Sequence, residues 1–352
     1  MIEYNVELIM ALIVFTFSFA IAFLLVPLSK KISFKVGAVA HPRERDVHKK
    51  PMPRMGGISI VFATSISILL FSGVLKDLEP KKLFAILFAG ILVFLVGFFD
   101  DIYEFSAKYK FLGQTVAAVI VVMAGVRIEA LTWPFAEDGL IKFGVFAIPI
   151  TLIWILGMTN AVNFIDGLDG LAAGVSSIGA IYIMIISIFL GTNSIVLITA
   201  ALAGACVGFL PYNFNPAQIF MGDTGALFVG FMLSIASILG LFKGYATIVV
   251  LVIILGIPIF DTGFAIVRRM LSGKTLLQAM TTADRGHLHH RLVDSGLSHR
   301  KSVLVLYAIA LMLGTTGVFI VLKSLYMASV TFFIVALWIY FILSKKTKKS
   351  EE

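Results

Sequence analysis

Long apolar stretches separated by short polar segments make up most of the 352-residue chain. A helix that crosses a bilayer needs roughly 20 apolar residues, and eleven runs of about that length or slightly shorter occur. They cover residues 8–29, 57–75, 83–99, 111–126, 145–159, 171–190, 195–211, 224–242, 245–267, 302–322 and 325–344. The alternating pattern of lipid-facing β-strands is absent from the sequence. We therefore predict an all-α polytopic integral membrane protein with about eleven transmembrane helices.

Composition agrees with this fold class, because 59% hydrophobic and 14% charged residues suit neither a soluble globular domain nor a disordered chain. We expect one transmembrane domain, residues 1–344, and a short tail of basic and acidic residues, 345–352. Glu3 and Glu7 precede the first apolar run, and Lys30-Lys31 follows it without a small-residue cleavage site. The first run is therefore predicted to be an uncleaved anchor.

The distribution of Lys and Arg predicts the orientation. The loops after odd-numbered runs, together with the C-terminal tail, hold 21 of the 28 Lys and Arg residues. Because positive loops stay inside, the N-terminus is expected outside a bacterial inner membrane and the C-terminus in the cytoplasm. The net charge of +8 is explained by this signal and by attraction to anionic lipid, so no nucleic-acid partner is needed. The single Cys206 excludes a disulfide framework.

Four polar clusters interrupt the apolar pattern at predicted cytoplasmic ends of helices or in cytoplasmic loops. A charge within a spanning segment costs roughly 3 to more than 10 kcal/mol, so such groups usually face a cavity or a site. The clusters are Asp100-Asp101, residues 160–170, Gly222-Asp223 and residues 284–291. A turn with two glycines, residues 51–57, lies where a loop could border them. One site that faces the cytoplasm is predicted.

Oxygen ligands dominate these clusters. Asn163, Asp166 and Asp169 recur every three positions, which on a helix would gather them on one face. Carboxylate and amide oxygens suit Mg²⁺, which bridges to phosphate and keeps several waters. The adjacent carboxylates of Asp100 and Asp101 either raise one pKa, recruit a metal, or form a solvated helix end. These residues indicate a magnesium-assisted reaction of phosphate.

Two further clusters offer donors to an anion. Residues 222–225 open the eighth apolar run, so Asp223 lies beside exposed backbone N–H groups or acts only as a helix cap. Residues 285–291 contain three His and two Arg. Two adjacent His rarely ligate one zinc ion well, and no Cys or HExxH pattern accompanies them. Arg and His donors suit a diphosphate better. The combination predicts phosphoryl transfer between a soluble phosphate ester and a lipid.

Four motifs together resemble the polyprenyl-phosphate N-acetylhexosamine-1-phosphate transferases, the MraY/WecA/TagO superfamily. They are Asp100-Asp101, Asn160-Ala-Val-Asn-Phe-Ile-Asp-Gly-Leu-Asp-Gly170, residues 213–225 and Asp284-Arg-Gly-His-Leu-His-His-Arg291. The resemblance covers helices one to ten in the same order. It implies transfer of a sugar-1-phosphate from a UDP-sugar to undecaprenyl phosphate in the lipid bilayer, with release of UMP.

The resemblance also implies roles for particular residues. Asp223 and Asn163 would bind Mg²⁺, with Mn²⁺ as a substitute, and Asp100 and Asp101 would be a catalytic pair. One of the pair would position or deprotonate the lipid phosphate. The other implied contacts are Lys110 to phosphate, Phe220 stacked on uracil, Asp166, Asp169 and Asn213 at the nucleotide, and Arg285, His287, His289 and His290 at the diphosphate or sugar.

The loop at 285–291 resembles the WecA and TagO branch, which uses UDP-GlcNAc to start a cell-envelope polysaccharide such as lipopolysaccharide or teichoic acid. The eleventh run resembles that branch too. An MraY-type transferase with a peptide-bearing donor is the alternative within the superfamily. A cation-coupled transporter is the alternative from another class, but it requires charges across the bilayer midplane, whereas here they crowd at one face. Whether two copies form a homodimer is left open.

Overall fold

The computed structural model describes residues 2–40, 51–75, 77–132, 140–241, 252–272 and 288–344. Twelve α-helices lie within these ranges. They are α1 Ile2–Val36, α2 Gly57–Leu70, α3 Pro80–Tyr103, α4 Ala107–Met123, α5 Ala147–Ile165, α6 Leu171–Leu190, α7 Asn193–Asn213, α8 Gly222–Leu241, α9 Gly256–Leu271, α10 Leu288–Asp294, α11 His299–Val321 and α12 Leu325–Ser344.

Each of the eleven apolar runs overlaps one of these helices, and α10 is a short helix between runs. The all-α polytopic class is therefore confirmed. Within the described ranges, seven helices are long and apolar enough to cross a bilayer: α1, α3, α5, α6, α7, α8 and α11. Shorter apolar helices begin at Gly57 and Leu325. The count of eleven crossings and the orientation stay predictions.

Two short antiparallel strand pairs connect helices. β1, Val39–Ala40, pairs with β2, Met52–Pro53, and so joins the end of α1 to the start of α2. β3, Ala130–Thr132, pairs with β4, Leu140–Lys142, between α4 and α5. The β1–β2 pair was not foreseen, because two-residue strands leave no periodic signal.

Helices α7 and α8 form the centre of the bundle. In each of these two helices, 83% of the most apolar 18-residue stretch is buried inside the protein, whereas in α1 the buried share is 28%. Helices α1 and α6 pack on α7, while α3 and α5 pack on α8. The small residues 200–208 are almost all buried, as expected for a helix-packing face where backbones approach closely. The helices around α8 consequently bring their ends together.

Helices α1 to α8 run in alternating directions, so one end of the bundle collects the first three polar motifs. We call it the site face: α1, α3, α5 and α7 end there, and α2, α4, α6 and α8 begin there. Contacts between Asn163 of α5 and Asp223 of α8, and between Lys110 of α4 and Asp100 of α3, join these ends. The predicted cytoplasmic location applies to this face.

The expectation that Asn163, Asp166 and Asp169 share one helical face is wrong. Helix α5 ends at Ile165, and Asp166 and Asp169 lie in the turn before α6. Gly167 and Gly170 favour a break here, and Gly170 has φ of 80°, a conformation that residues with a Cβ rarely adopt. The three polar residues therefore reach different parts of the site face.

Candidate active site

The start of α8 is fastened to the end of α3 by Asp101. The carboxylate accepts hydrogen bonds from the backbone N–H groups of Asp223 (3.1 Å) and Thr224 (2.9 Å), and from the Thr224 hydroxyl (2.5 Å). The first N–H groups of a helix have no partner within it, and a carboxylate there also suits the helix dipole. Asp101 is 3% exposed. It therefore acts as an N-cap supplied by another helix.

Glycine permits this close approach. A Cβ at Gly97 of α3 would lie 2.3 Å from the backbone oxygen of Asp223. Gly222 has φ of 70°, and a Cβ there would lie 1.8 Å from the backbone oxygen of Arg54. Larger residues at either position would push α3 or the 51–57 segment away from α8. The position of Asp223 thus depends on glycine at residues 97 and 222.

Four helices contribute to one polar cluster beside this cap. Lys110 Nζ on α4 donates to Asp100 Oδ2 at 2.9 Å and to Asp223 Oδ2 at 2.8 Å. Asn163 Nδ2 on α5 donates to Asp223 Oδ1 at 3.0 Å. The structure therefore brings together Asp100, Lys110, Asn163 and Asp223, as the motifs implied. It separates Asp100, which faces Lys110, from Asp101, which faces the backbone of α8.

The cluster fits a magnesium ion. Asp100 Oδ1 is buried and has no hydrogen-bond partner among the described residues, although burying an unpaired carboxylate oxygen is costly. A cation would satisfy it. The available ligands are oxygens of Asp100, Asp223 and Asn163, which Mg²⁺ prefers. Within the described ranges, no group of three His, Cys, Asp or Glu side chains is placed to hold a metal ion. Mg²⁺ does not need one, because it commonly uses one or two carboxylates plus substrate phosphates.

Asp169 and Asn213 hold the chain between α7 and α8. Asp169 Oδ2 accepts from Asn215 Nδ2 at 2.9 Å and from the Ala217 backbone N–H at 3.1 Å. Asn213 accepts from the Gly170 N–H at 3.1 Å and donates to the Ile219 carbonyl at 3.0 Å. Both are buried. Their bonds fix the wall of the site, and their implied contact with a nucleotide stays a prediction.

Asp166 adds negative charge to the same region. Burial, followed by the nearby charges of Asp223, Asp101 and Asp169, raises the pKa of Asp166 well above its usual range. No hydrogen bond to its carboxylate occurs among the residues that the structure describes. A bound cation would lower this pKa, because opposite charge favours the ionised form. Among the residues that the structure describes, the site therefore has more carboxylates than cations.

The segment that precedes α2 borders the site along Phe220. The Phe220 backbone N–H donates to the Pro53 carbonyl at 2.8 Å, and its carbonyl accepts from the Gly56 N–H at 2.9 Å. This pairing places Arg54 beside the start of α8. Arg54 Nε lies 3.9 Å from Asp101 Oδ1, and Nη1 lies 3.5 Å from Glu104 Oε1. The sequence indicated only that the loop could border the site. Arg54, two residues before Gly56-Gly57, was the sequence feature that could have indicated a cation beside the site.

The remaining implied residues lie at 285–290. Arg285 and His287 fall outside the described residues, and the side chains of His289 and His290 in α10 do too. The backbone N–H of Leu288, the first residue of α10, donates to Asp261 Oδ1 of α9 at 2.5 Å. Asp261 is 8% exposed. This carboxylate, which the motifs left without a role, positions the helix that carries His289 and His290.

Comparison with known proteins gives a consistent result. Residues 83–241 match the family model described as glycosyl transferase family 4. The chain is 42% identical over 320 residues to a probable undecaprenyl-phosphate N-acetylglucosaminyl 1-phosphate transferase of Bacillus subtilis. The aligned residues cover 90% of this chain and 86% of that relative. The matched family region includes Asp100, Lys110, Asn163 and Asp223.

Two further groups of relatives match. A decaprenyl-phosphate N-acetylglucosaminephosphotransferase of Mycolicibacterium smegmatis is 38% identical over 303 residues, 78% of this chain and 73% of the relative. A phospho-N-acetylmuramoyl-pentapeptide-transferase of a Thermoanaerobacter species is 33% identical over 318 residues, 87% of this chain and 96% of the relative. Identity is higher to the relatives named for N-acetylglucosamine than to the one named for the pentapeptide donor.

Proposed function

Because this chain belongs to glycosyl transferase family 4, we propose that it transfers N-acetylglucosamine-1-phosphate from UDP-GlcNAc to undecaprenyl phosphate. The products are undecaprenyl-diphospho-GlcNAc, which initiates a cell-envelope polysaccharide, and UMP. The protein is a multi-pass enzyme of the bacterial inner membrane. The observation that carries the proposal is the convergence of Asp100, Lys110, Asn163 and Asp223 at one end of the bundle.

The reaction is a single in-line displacement. An oxygen of the lipid phosphate forms a bond to the phosphorus attached to the sugar, and the bond from that phosphorus to the bridging oxygen breaks, so UMP leaves with that oxygen. Both reactants are anionic, so catalysis depends mainly on positioning and on offsetting their charge. Lys110 provides one cation at the point where Asp100 and Asp223 meet.

The contacts of the two adjacent carboxylates support different roles for them. Asp101 has both oxygens engaged with α8, whereas Asp100 Oδ1 has no partner among the described residues. Asp100 is thus the better candidate to accept a proton from the lipid phosphate or to position it. Asp101 holds Asp223 in place.

Asp223 and Asn163, with Asp100 beside them, would hold Mg²⁺ or Mn²⁺. When bound, the ion supplies neutralisation of the charge on the donor diphosphate. Arg285, His287, His289 and His290 would offer donors to the diphosphate and sugar, as charge-assisted bonds from Arg and His favour phosphate. Phe220, Asp166, Asp169 and Asn213 would line the nucleotide side. UDP-GlcNAc would enter from the cytoplasm.

Release of UMP by the purified protein tests the proposal. UDP-GlcNAc and UDP-MurNAc-pentapeptide are each supplied with undecaprenyl phosphate and Mg²⁺, and a reaction without the lipid measures hydrolysis. We expect lipid-dependent UMP release with UDP-GlcNAc and little with the pentapeptide donor, because sites that hydrogen-bond a substrate reject analogues strongly. Preference for the pentapeptide donor would overturn the choice of donor and leave family membership intact.

A further inference from the structure

We propose that Arg54 is a substrate-contacting residue whose guanidinium leaves Glu104 and binds phosphate oxygens of a substrate at the start of α8. The inference rests on the proposed function and extends it to a side chain outside the four motifs. The shared chemistry is a phosphate, which either the donor diphosphate or the lipid phosphate can provide.

The backbone of Arg54 is fixed beside the site. Its N–H lies 3.1 Å from the Ala38 carbonyl and 3.0 Å from Ser33 Oγ, and its carbonyl packs against Gly222. The neighbouring Pro53 and Gly56 pair with Phe220. These contacts join the end of α1, the 51–57 segment and the start of α8. The backbone of Arg54 is therefore held next to Gly222, at the start of α8, without help from its side chain.

The side chain, by contrast, is held weakly. Its two contacts, 3.9 Å to Asp101 and 3.5 Å to Glu104, are longer than charge-assisted hydrogen bonds of about 2.7–2.9 Å. Glu104 has a 78% exposed side chain, and exposed ion pairs contribute little. The Arg54 side chain is 30% exposed. Its planar fork can consequently exchange Glu104 for a phosphate, which accepts two parallel N–H bonds.

The balance of charge favours that exchange. Asp100, Asp101, Asp166 and Asp223 lie together, and Lys110 is shared between two of them. A diphosphate or lipid phosphate that approaches these carboxylates is repelled unless further cations face it. Arg54 adds a cation at the edge of the same cluster, and its pairing with the exposed Glu104 leaves it accessible.

Steady-state UMP release by four variants tests the proposal. Arg54→Gln removes the charge, Arg54→Lys keeps the charge without the fork, Glu104→Gln removes the competing partner, and Lys108→Gln is the control. Lys108 is an exposed cation near the site face without an ion pair among the described residues. The KM values for UDP-GlcNAc and for undecaprenyl phosphate are measured separately, with size-exclusion profiles to verify folding.

We expect Arg54→Gln to raise the KM of one substrate by roughly ten- to a hundredfold, as expected when a hydrogen bond to a charged group is lost. The substrate whose KM rises identifies the phosphate source. Arg54→Lys should recover part of the loss, Lys108→Gln should match the wild type, and Glu104→Gln should leave that KM equal or lower.

Two results would overturn the proposal: unchanged KM values for both substrates in Arg54→Gln, or a rise in Glu104→Gln equal to that in Arg54→Gln. The second result would show that the ion pair matters only as structure. Turnover of UDP-GlcNAc by the wild type is measured separately. Absence of that turnover would contradict the proposed function, whereas wild-type turnover with unchanged KM values in Arg54→Gln would contradict only this inference.

Discussion

The Asp101 carboxylate binds Thr224 twice, through its backbone N–H at 2.9 Å and its hydroxyl at 2.5 Å. These bonds connect residues 123 positions apart and set where α8 begins. Asp223, one residue before Thr224, thereby takes its place between Lys110 and Asn163. In this arrangement Asp101 positions the start of α8, and Asp100, which faces Lys110, is the carboxylate that we propose acts on the substrate.

The first prediction separates these adjacent residues. Asp101→Ala should lower the free energy of unfolding by about 1–2 kcal/mol, the usual effect of losing a helix cap, and Asp101→Asn should retain more stability and activity because it keeps an acceptor. Asp100→Asn should leave stability unchanged and lower kcat by roughly a hundredfold or more. Thermal unfolding in detergent and kcat measure both. Equal stability of Asp101→Ala and wild type would refute the cap.

The second prediction concerns the metal. Asp223→Asn should lower turnover by roughly a thousandfold while the protein still purifies normally, because a carboxylate ligand is lost. EDTA should abolish activity of the wild type, and Mg²⁺ or Mn²⁺ should restore it in preference to Zn²⁺, since the available ligands are oxygens. Near-normal turnover of Asp223→Asn at saturating Mg²⁺ would show that Asp223 is not a metal ligand and has only a structural role in the first turn of α8.

A third prediction follows from the bond between Asp261 and the Leu288 N–H. If Asp261 acts by positioning α10, then Asp261→Ala and His289→Ala should each reduce kcat/KM for UDP-GlcNAc, and the double variant should lose little more than the worse single variant. Residues that act as a unit show such non-additivity. Fully multiplicative losses would mean that Asp261 and His289 act independently.

The fourth prediction concerns orientation. Cys introduced at the exposed Ser106 or Ser298, both near the site face, should react with a membrane-impermeant thiol reagent only after the inner membrane is opened. Cys at Glu129, on the opposite face, should react in intact spheroplasts. The native Cys206 is buried, so its background labelling should be low. Labelling of the Ser106 and Ser298 variants in intact spheroplasts would show that the orientation is the reverse of the predicted one.

Much of the fold could be predicted from the sequence, since a bilayer requires about 20 apolar residues for each crossing and all backbone groups paired within the helix. The same reasoning placed Asp100-Asp101 at the end of α3 and Asp223 at the start of α8. The helical periodicity assigned to Asn163, Asp166 and Asp169 failed, because the glycines between them end α5 and begin a turn.

The sequence by itself determined the membrane class, the helix order and the set of polar residues, because these depend on local hydrophobicity and on the cost of charge in lipid. Only the tertiary structure decided which groups the described polar side chains contact. Asp101 and Asp100 contact different groups, and Arg54 lies beside the site, because helix ends far apart in sequence are packed together around α8. A hydrogen bond between residues 101 and 224 leaves no periodic trace along the chain; its existence depends on the close packing that Gly97 and Gly222 permit.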